Sequence, residues 1–225
     1  MEQTIFADTI FALSSGALPS GIAVVRISGP GVRRALEALC GCVPAERRAG
    51  LRKIRAARGE IIDSGLVLFF AEPNSFTGED VAEVHVHGGR AVAAAVLGEL
   101  GALDGLRQAE AGEFTRRAFL NGKMDLTGAE ALADLIASET EAQLRFAVAN
   151  TDGRQGVLYQ GWRRRILQAR AMIEAELDFA DEADVGDAPS TAAWPDMHRL
   201  VEEIGAHLAS YHRAEIVRDG FRVVI

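Results

Sequence analysis

The chain has 225 residues and a net charge of −8, with 48% apolar and 25% charged residues. That balance fits one large or two small folded domains and excludes a disordered chain. It excludes binding nucleic acid through a basic bulk field, and no apolar run approaches the roughly 20 residues of a membrane helix.

The opening MEQTIFADTIFALSSG has no basic n-region and carries Glu2 and Asp8, so it does not read as a signal peptide. Residues 21–29 (GIAVVRISG) form a nearly continuous apolar strand, which predicts a central position in a sheet. PGVRRALEAL follows as a helix with Pro30 at an early position. Cys40 and Cys42, the only cysteines, read as structural or incidental thiols in a reducing cytoplasm. Residues 46–58 hold six basic residues against Glu46 and read as a solvated face, as does Arg163-Arg164-Arg165. IIDSGLVLFFA reads as strand, Asp-Ser-Gly turn and strand.

DVAEVHVHGG alternates, so Glu83, His85 and His87 share one face of a strand. That face suits a polar lining for an organic ligand, a wet outer surface or, with lowest weight, Zn²⁺. RAVAAAVLGELGAL and AGEFTRRAFLNG are helices, the second ending at Asn121-Gly122. Strands and helices interleave without a strict βαβ rhythm, which predicts an α+β fold with a mixed sheet.

After Lys123 the pattern becomes helical. Thr127 with Glu130 three residues on reads as a capping box, and Leu132, Leu135, Ile136, Leu144 and Val148 place one helix up to Gly153. Leu158, Trp162, Ile166, Ala169 and Ile173 mark a second helix of about 23 residues, roughly 35 Å long. The acidic stretch ADEADVGDAP breaks the pattern. Leu200, Ile204, Leu208 and Tyr211 mark a third helix up to Gly220, and these stripes predict a bundle with faces left uncovered. The closing FRVVI reads as a strand with no partner in the chain.

No recognised catalytic motif stands complete. Gly122-Lys123 has Arg117 where a phosphate loop needs its first glycine, and GPGVRR has Arg34 where a dinucleotide loop needs its third. No G-x-S-x-G stretch is present.

Three stretches together carry a resemblance. GIAVVRISGP, NSFTGEDVAEVHVHGG and GEFTRRAFLNGKMDLTGAEALADLI resemble the N-terminal portion of the MnmE (TrmE) tRNA-modification GTPases, with DTIFAL and EAELDFADE also matching. The sequence departs from the family pattern at SSGALPSG, at Ala111 and in DFADEADV, where the family commonly has proline or arginine. The resemblance implies a mixed-sheet, aminomethyltransferase-like folate-binding and dimerisation domain over residues 1–121. It implies the first part of an incomplete helical domain over 122–219, and over 220–225 the first strand of a G domain lying beyond the chain.

It further implies that the whole protein is a GTP hydrolase. With the MnmG (GidA) flavoprotein it adds a carboxymethylaminomethyl-type group at C5 of the tRNA wobble uridine in the cytoplasm, using a tetrahydrofolate one-carbon unit. GTP, magnesium and potassium belong to the G domain, so this chain alone is expected to lack GTPase activity. Carried over residue by residue, Arg26, Glu83 and Lys123 are the expected contacts for 5-formyltetrahydrofolate. A carboxylate such as Glu83 accepts paired N–H groups from the amino-pyrimidinone edge of a reduced pterin, and cations such as Arg26 and Lys123 suit the anionic glutamate tail. A stand-alone folate-dependent transferase and a non-catalytic dimerisation scaffold are the alternatives.

Overall fold

The computed structural model describes residues 5–151, 153–178 and 189–220. The chain divides into two compact units, Met1–Met124 and Asp125–Ile225.

The first unit holds six strands: β1 (Thr9–Leu13), β2 (Ser20–Ser28), β3 (Gly50–Arg55), β4 (Ile61–Phe70), β5 (Val81–Gly88) and β6 (Leu106–Gln108). They form one sheet in the order β3-β4-β5-β2-β1-β6. β1 and β6 run parallel and the other pairs antiparallel, so the sheet is mixed and the fold α+β. The apolar run of residues 21–29 lies in interior strand β2, between β5 and β1, where Ala23, Val25 and Ile27 are buried.

Alternate side chains of this sheet go to opposite faces. Val25, Ile27, Val67, Phe69, Ala82 and Val84 are buried with Val32, Leu36 and Leu39 of α1 (Val32–Cys40) and Val96 and Leu100 of α2 (Arg90–Gly101). The neighbouring positions, Arg26, Leu68 and Glu83, fall on the other face. Register sets Arg26 and Leu68 each directly across from Glu83.

Two expectations change here. Asp63-Ser64-Gly65 is not a turn: it lies inside the ten-residue strand β4. β4 turns back instead at residues 56–60 to pair with β3, which lies within the basic run and buries Ile54. Gly65 serves close approach, because a Cβ there would stand 2.1 Å from the His85 carbonyl oxygen. Pro30 precedes α1 and its N-cap Gly31, two positions earlier than the favoured first helical residue, which is Val32.

The second unit is helical: α4 (Leu126–Ala137), α5 (Glu141–Thr151), α6 (Arg154–Asp178), α7 (Pro189–Ala209) and α8 (Tyr211–Asp219). The single helix expected from Thr127 to Gly153 is two. α4 is capped by Asp125, whose side chain accepts from Gly128 N at 2.7 Å, while Thr127 only donates to that same carboxylate. The capping box lies at the start of α5. Thr140 N donates to Gln143 Oε1 at 2.9 Å, and Gln143 N donates to Thr140 Oγ1 at 3.2 Å. Apolar periodicity passes through this break, which is why it hides the restart.

The expected third helix also divides, between α7 and α8. Ser210 turns its hydroxyl onto the His207 carbonyl at 2.6 Å, a local bond that competes with helix propagation. Leu200, expected on an uncovered stripe, is buried, whereas Leu208 is exposed. The FRVVI strand and most of the acidic stretch after α6 lie outside the described residues. Among the described residues no helix is long and apolar enough to cross a membrane.

Candidate functional site: a polar cavity on the open sheet face

Arg26 and Glu83 meet because β2 and β5 pair in a register that puts them opposite each other on the face away from α1 and α2. Arg26 donates to Glu83 Oε1 from Nε at 3.1 Å and from Nη2 at 2.8 Å. His85, two residues along the same face, brings its Nε2 to 3.3 Å from Glu83 Oε2. Phe76 and Phe114 flank the Arg26 guanidinium, with ring centroids at 5.3 and 5.7 Å. Burial raises the Glu83 carboxyl, but the hydrogen bonds and charge of Arg26, aided by His85, outweigh it and hold the pKa below the ordinary carboxylate range. Glu83 is therefore ionised at neutral pH and presents acceptor oxygens.

The loop from β4 to β5 forms the wall. Ser75 Oγ accepts from Gly78 N at 3.0 Å and donates to the Glu79 carbonyl. Glu72 N donates to Asp80 Oδ1 at 3.0 Å, and Asn121 Nδ2 donates to the Thr77 carbonyl at 2.7 Å. Gly78 has φ +83°, and a Cβ there would meet the Lys123 stem at 3.2 Å. Only glycine satisfies both the backbone angle and the lysine lying over it. Lys123 then reaches the Pro73 carbonyl with Nζ at 2.9 Å.

The result is a cavity of about 380 Å³ lined by Arg26, Glu83, Lys123, Arg47, Phe70 and Phe76, among others. All three residues expected from the sequence border it. Such a volume is of the size that takes a small organic ligand. Arg47 and the two phenylalanines were not singled out by the sequence. Arg47 stood in a basic run that reads as solvated, and no spacing rule brings it to β5.

The His-rich face divides its work. His87 Nδ1 lies 2.9 Å from Asp63 Oδ1, and His87 N donates to Asp63 Oδ2 at 2.7 Å. Glu83 turns to Arg26. Among the described residues no group of three or more His, Cys, Asp or Glu is placed to hold a metal ion.

Next to the cavity a charged cluster anchors α3 (Glu113–Leu120) to the sheet. Arg117 is wholly buried and donates to Glu79 Oε1 at 3.1 Å, Asp8 Oδ1 at 2.8 Å and Glu113 Oε1 at 3.2 Å. Ser28 donates to Glu79 Oε2 at 2.6 Å. Hydrogen bonds from Arg107, assisted by the Glu110 backbone N–H and by Arg117, bring the Glu113 pKa down to about 2 against the pull of burial. Burial pushes Glu79 the other way, up, and its partners do not fully offset it.

In the helical unit, a cavity of about 230 Å³ is lined by Ala133, Asp134, Phe146 and Arg218. Its carboxylate is already paired, with Arg218 Nε 3.0 Å from Asp134 Oδ1.

The fold and site define a class: a mixed-sheet α+β unit with a ligand-sized polar cavity on its open face, followed in sequence by a helical unit. The family model for the GTP-binding protein TrmE N-terminus matches residues 9–123, and that for the MnmE helical domain matches residues 126–222. The chain belongs to the MnmE (TrmE) family. It is 61% identical over 224 residues to the tRNA modification GTPase MnmE of Chelativorans sp. (strain BNC1), covering 100% of this chain and 51% of that protein. It is 60% identical over 220 residues to the tRNA modification GTPase MnmE of Sinorhizobium medicae (strain WSM419), covering 98% and 50%. The chain thus spans about half the length of the curated relatives it matches.

Proposed function

We propose that the sheet unit holds a reduced folate, 5-formyltetrahydrofolate or a close relative, as part of a tRNA modification GTPase. The carrying observation is the Glu83 carboxyl group, fixed by Arg26 at 2.8 Å at the edge of a cavity of about 380 Å³ with phenylalanine walls. An amino-pyrimidinone edge offers adjacent N–H donors, and the Glu83 oxygens keep acceptor capacity beyond their bonds to Arg26 and His85. Phe70 and Phe76 give the flat ring a surface to pack on. Lys123 suits the anionic tail. Arg26, spent on Glu83, acts by keeping that carboxylate charged and oriented.

When bound, the folate supplies a one-carbon unit. The residues of this chain bind it, orient the ring and hold Glu83 deprotonated. The names of the relatives support tRNA modification as the setting, and the family's work on the wobble uridine with a flavoprotein partner is the reading we adopt. In it, the sheet unit also makes the homodimer, and GTP hydrolysis with magnesium and potassium is the work of a separate nucleotide domain.

Isothermal titration of the chain with 5-formyltetrahydrofolate tests the site. Glu83→Gln, which keeps shape and loses charge, is expected to weaken binding roughly ten- to hundredfold. Unchanged affinity removes Glu83 from the site. Absence of binding to the unsubstituted chain favours a scaffold without a folate role.

A further inference from the structure

Arg47 is the one described non-glycine residue with a left-handed backbone, φ +56°. An arginine gains nothing from that conformation by itself, so its surroundings hold it there. Arg47 N donates to the Phe69 carbonyl at 2.8 Å, tying the residue to the end of β4. The side chain then lies over the Phe70 ring, 5.7 Å from its centroid, and Nη2 donates to the Asn74 carbonyl. A solvated surface arginine needs none of these constraints.

Lys123 Nζ binds the Pro73 carbonyl, and Arg47 binds the next carbonyl, that of Asn74. Two cations from distant parts of the sheet unit therefore converge on consecutive carbonyls of one loop. Among the described residues the one ion pair made by either is that of Arg47 Nε with Glu46 Oε1 at 3.6 Å, with both side chains exposed. Inside the cavity the sole carboxylate, Glu83, is engaged by Arg26. The lining thus carries three cations against one anion, with the excess at the Arg47–Lys123 rim. A carboxylate arriving there replaces neutral carbonyl partners with charge-assisted bonds, and the planar guanidinium fork suits it best.

We infer that Arg47 is the specificity-determining residue for the ligand's carboxylate tail, selecting a glutamate-bearing folate over the same pterin with an uncharged tail. The inference rests on the folate reading above and assigns the two ends of the site. Glu83 with Arg26 reads the ring; Arg47 with Lys123 reads the tail.

The test compares 5-formyltetrahydrofolate with its glutamate dimethyl ester, which keeps the tail's skeleton, adds one methyl to each carboxyl and removes both charges, by calorimetric titration of the whole chain. The unsubstituted protein is expected to prefer the free acid by about tenfold or more. Arg47→Met is expected to reduce that preference about fivefold, weakening the acid more than the ester, and Arg47→Lys to restore part of it. A merely structural Arg47, bracing the loop through Asn74, would weaken both ligands alike, and that result overturns the inference. So does an unsubstituted protein that binds acid and ester equally well. If the unsubstituted protein binds neither ligand, the folate reading itself fails and the tail assignment with it.

Discussion

The two units bury different things. The sheet unit hides large side chains completely, among them Ile10, Ile27, Leu36, Leu39, Ile54 and Leu100. The helical unit hides chiefly alanines, Ala131, Ala147, Ala169 and Ala193, with Leu200 the one large aliphatic among its buried described residues. Its bigger apolar side chains face outward, with Ile136, Val157, Leu177 and Val201 at least 70% exposed. A sheet with two helices on one face closes a core by itself. Helices joined through narrow alanine seams form, yet leave their broad stripes open. Cross-helix ion pairs such as Arg165 with Asp196 and Glu203 are too exposed to compensate. Stability should therefore concentrate in the sheet unit, where the candidate site also sits.

The sharpest way to break this contrast is Arg117→Leu. It strands Glu79 without its buried cation and leaves Glu113 to Arg107, and a cost of about 3–5 kcal/mol is expected in chemical denaturation followed on the sheet unit. A loss under about 1 kcal/mol would mean the cluster is wet. Its pH dependence has two limbs of opposite sign. Glu113, lowered from 4.5 to about 2, contributes stability that is full above 4.5 and lost as pH falls toward 2. Glu79, raised, loses stability for the fold as pH rises above 4.5 through its own range. Glu113→Gln should flatten the acid limb and Glu79→Gln the other, read from denaturation midpoints across that range.

Core truncation compares the units directly. Ile27→Ala should cost about 2–5 kcal/mol, whereas Val201→Ala, 70% exposed, should stay within about 0.5 kcal/mol. Equal costs would mean that the Val201 stripe is covered in solution. Smaller still in consequence for the whole chain is the cap of α4. Asp125→Ala should lower helical-unit stability by about 1 kcal/mol, and Thr127→Ala by less, since Thr127 bonds only the capping side chain.

Period-two alternation made β5 and its Glu83-His85-His87 face readable, because a strand buried on one side must alternate. β3 was hidden, because four of its six residues are Gly50, Arg52, Lys53 and Arg55 and only Ile54 enters the core. Asp63-Ser64-Gly65 misled because turn residues also serve where strands crowd, here against the His85 carbonyl. The breaks at residues 138–140 and at Ser210 escaped because local hydrogen bonds make them, one accepted by Gln143 Oε1 and one donated by Ser210 Oγ, while the apolar spacing runs on. Arg26, Glu83 and Lys123 came from family resemblance, and the register of β2 on β5 gives the first two their physical connection. Arg47 escaped altogether: its left-handed backbone leaves no mark on a sequence.

The most direct measurement is a crystal structure of the chain soaked with 5-formyltetrahydrofolate. The account predicts the pterin edge within hydrogen-bond distance of both Glu83 oxygens, its ring beside Phe76, and the glutamate carboxylates at Lys123 and Arg47. A ligand bound elsewhere, or a pterin turned so that Glu83 touches only Arg26 and His85, would contradict it.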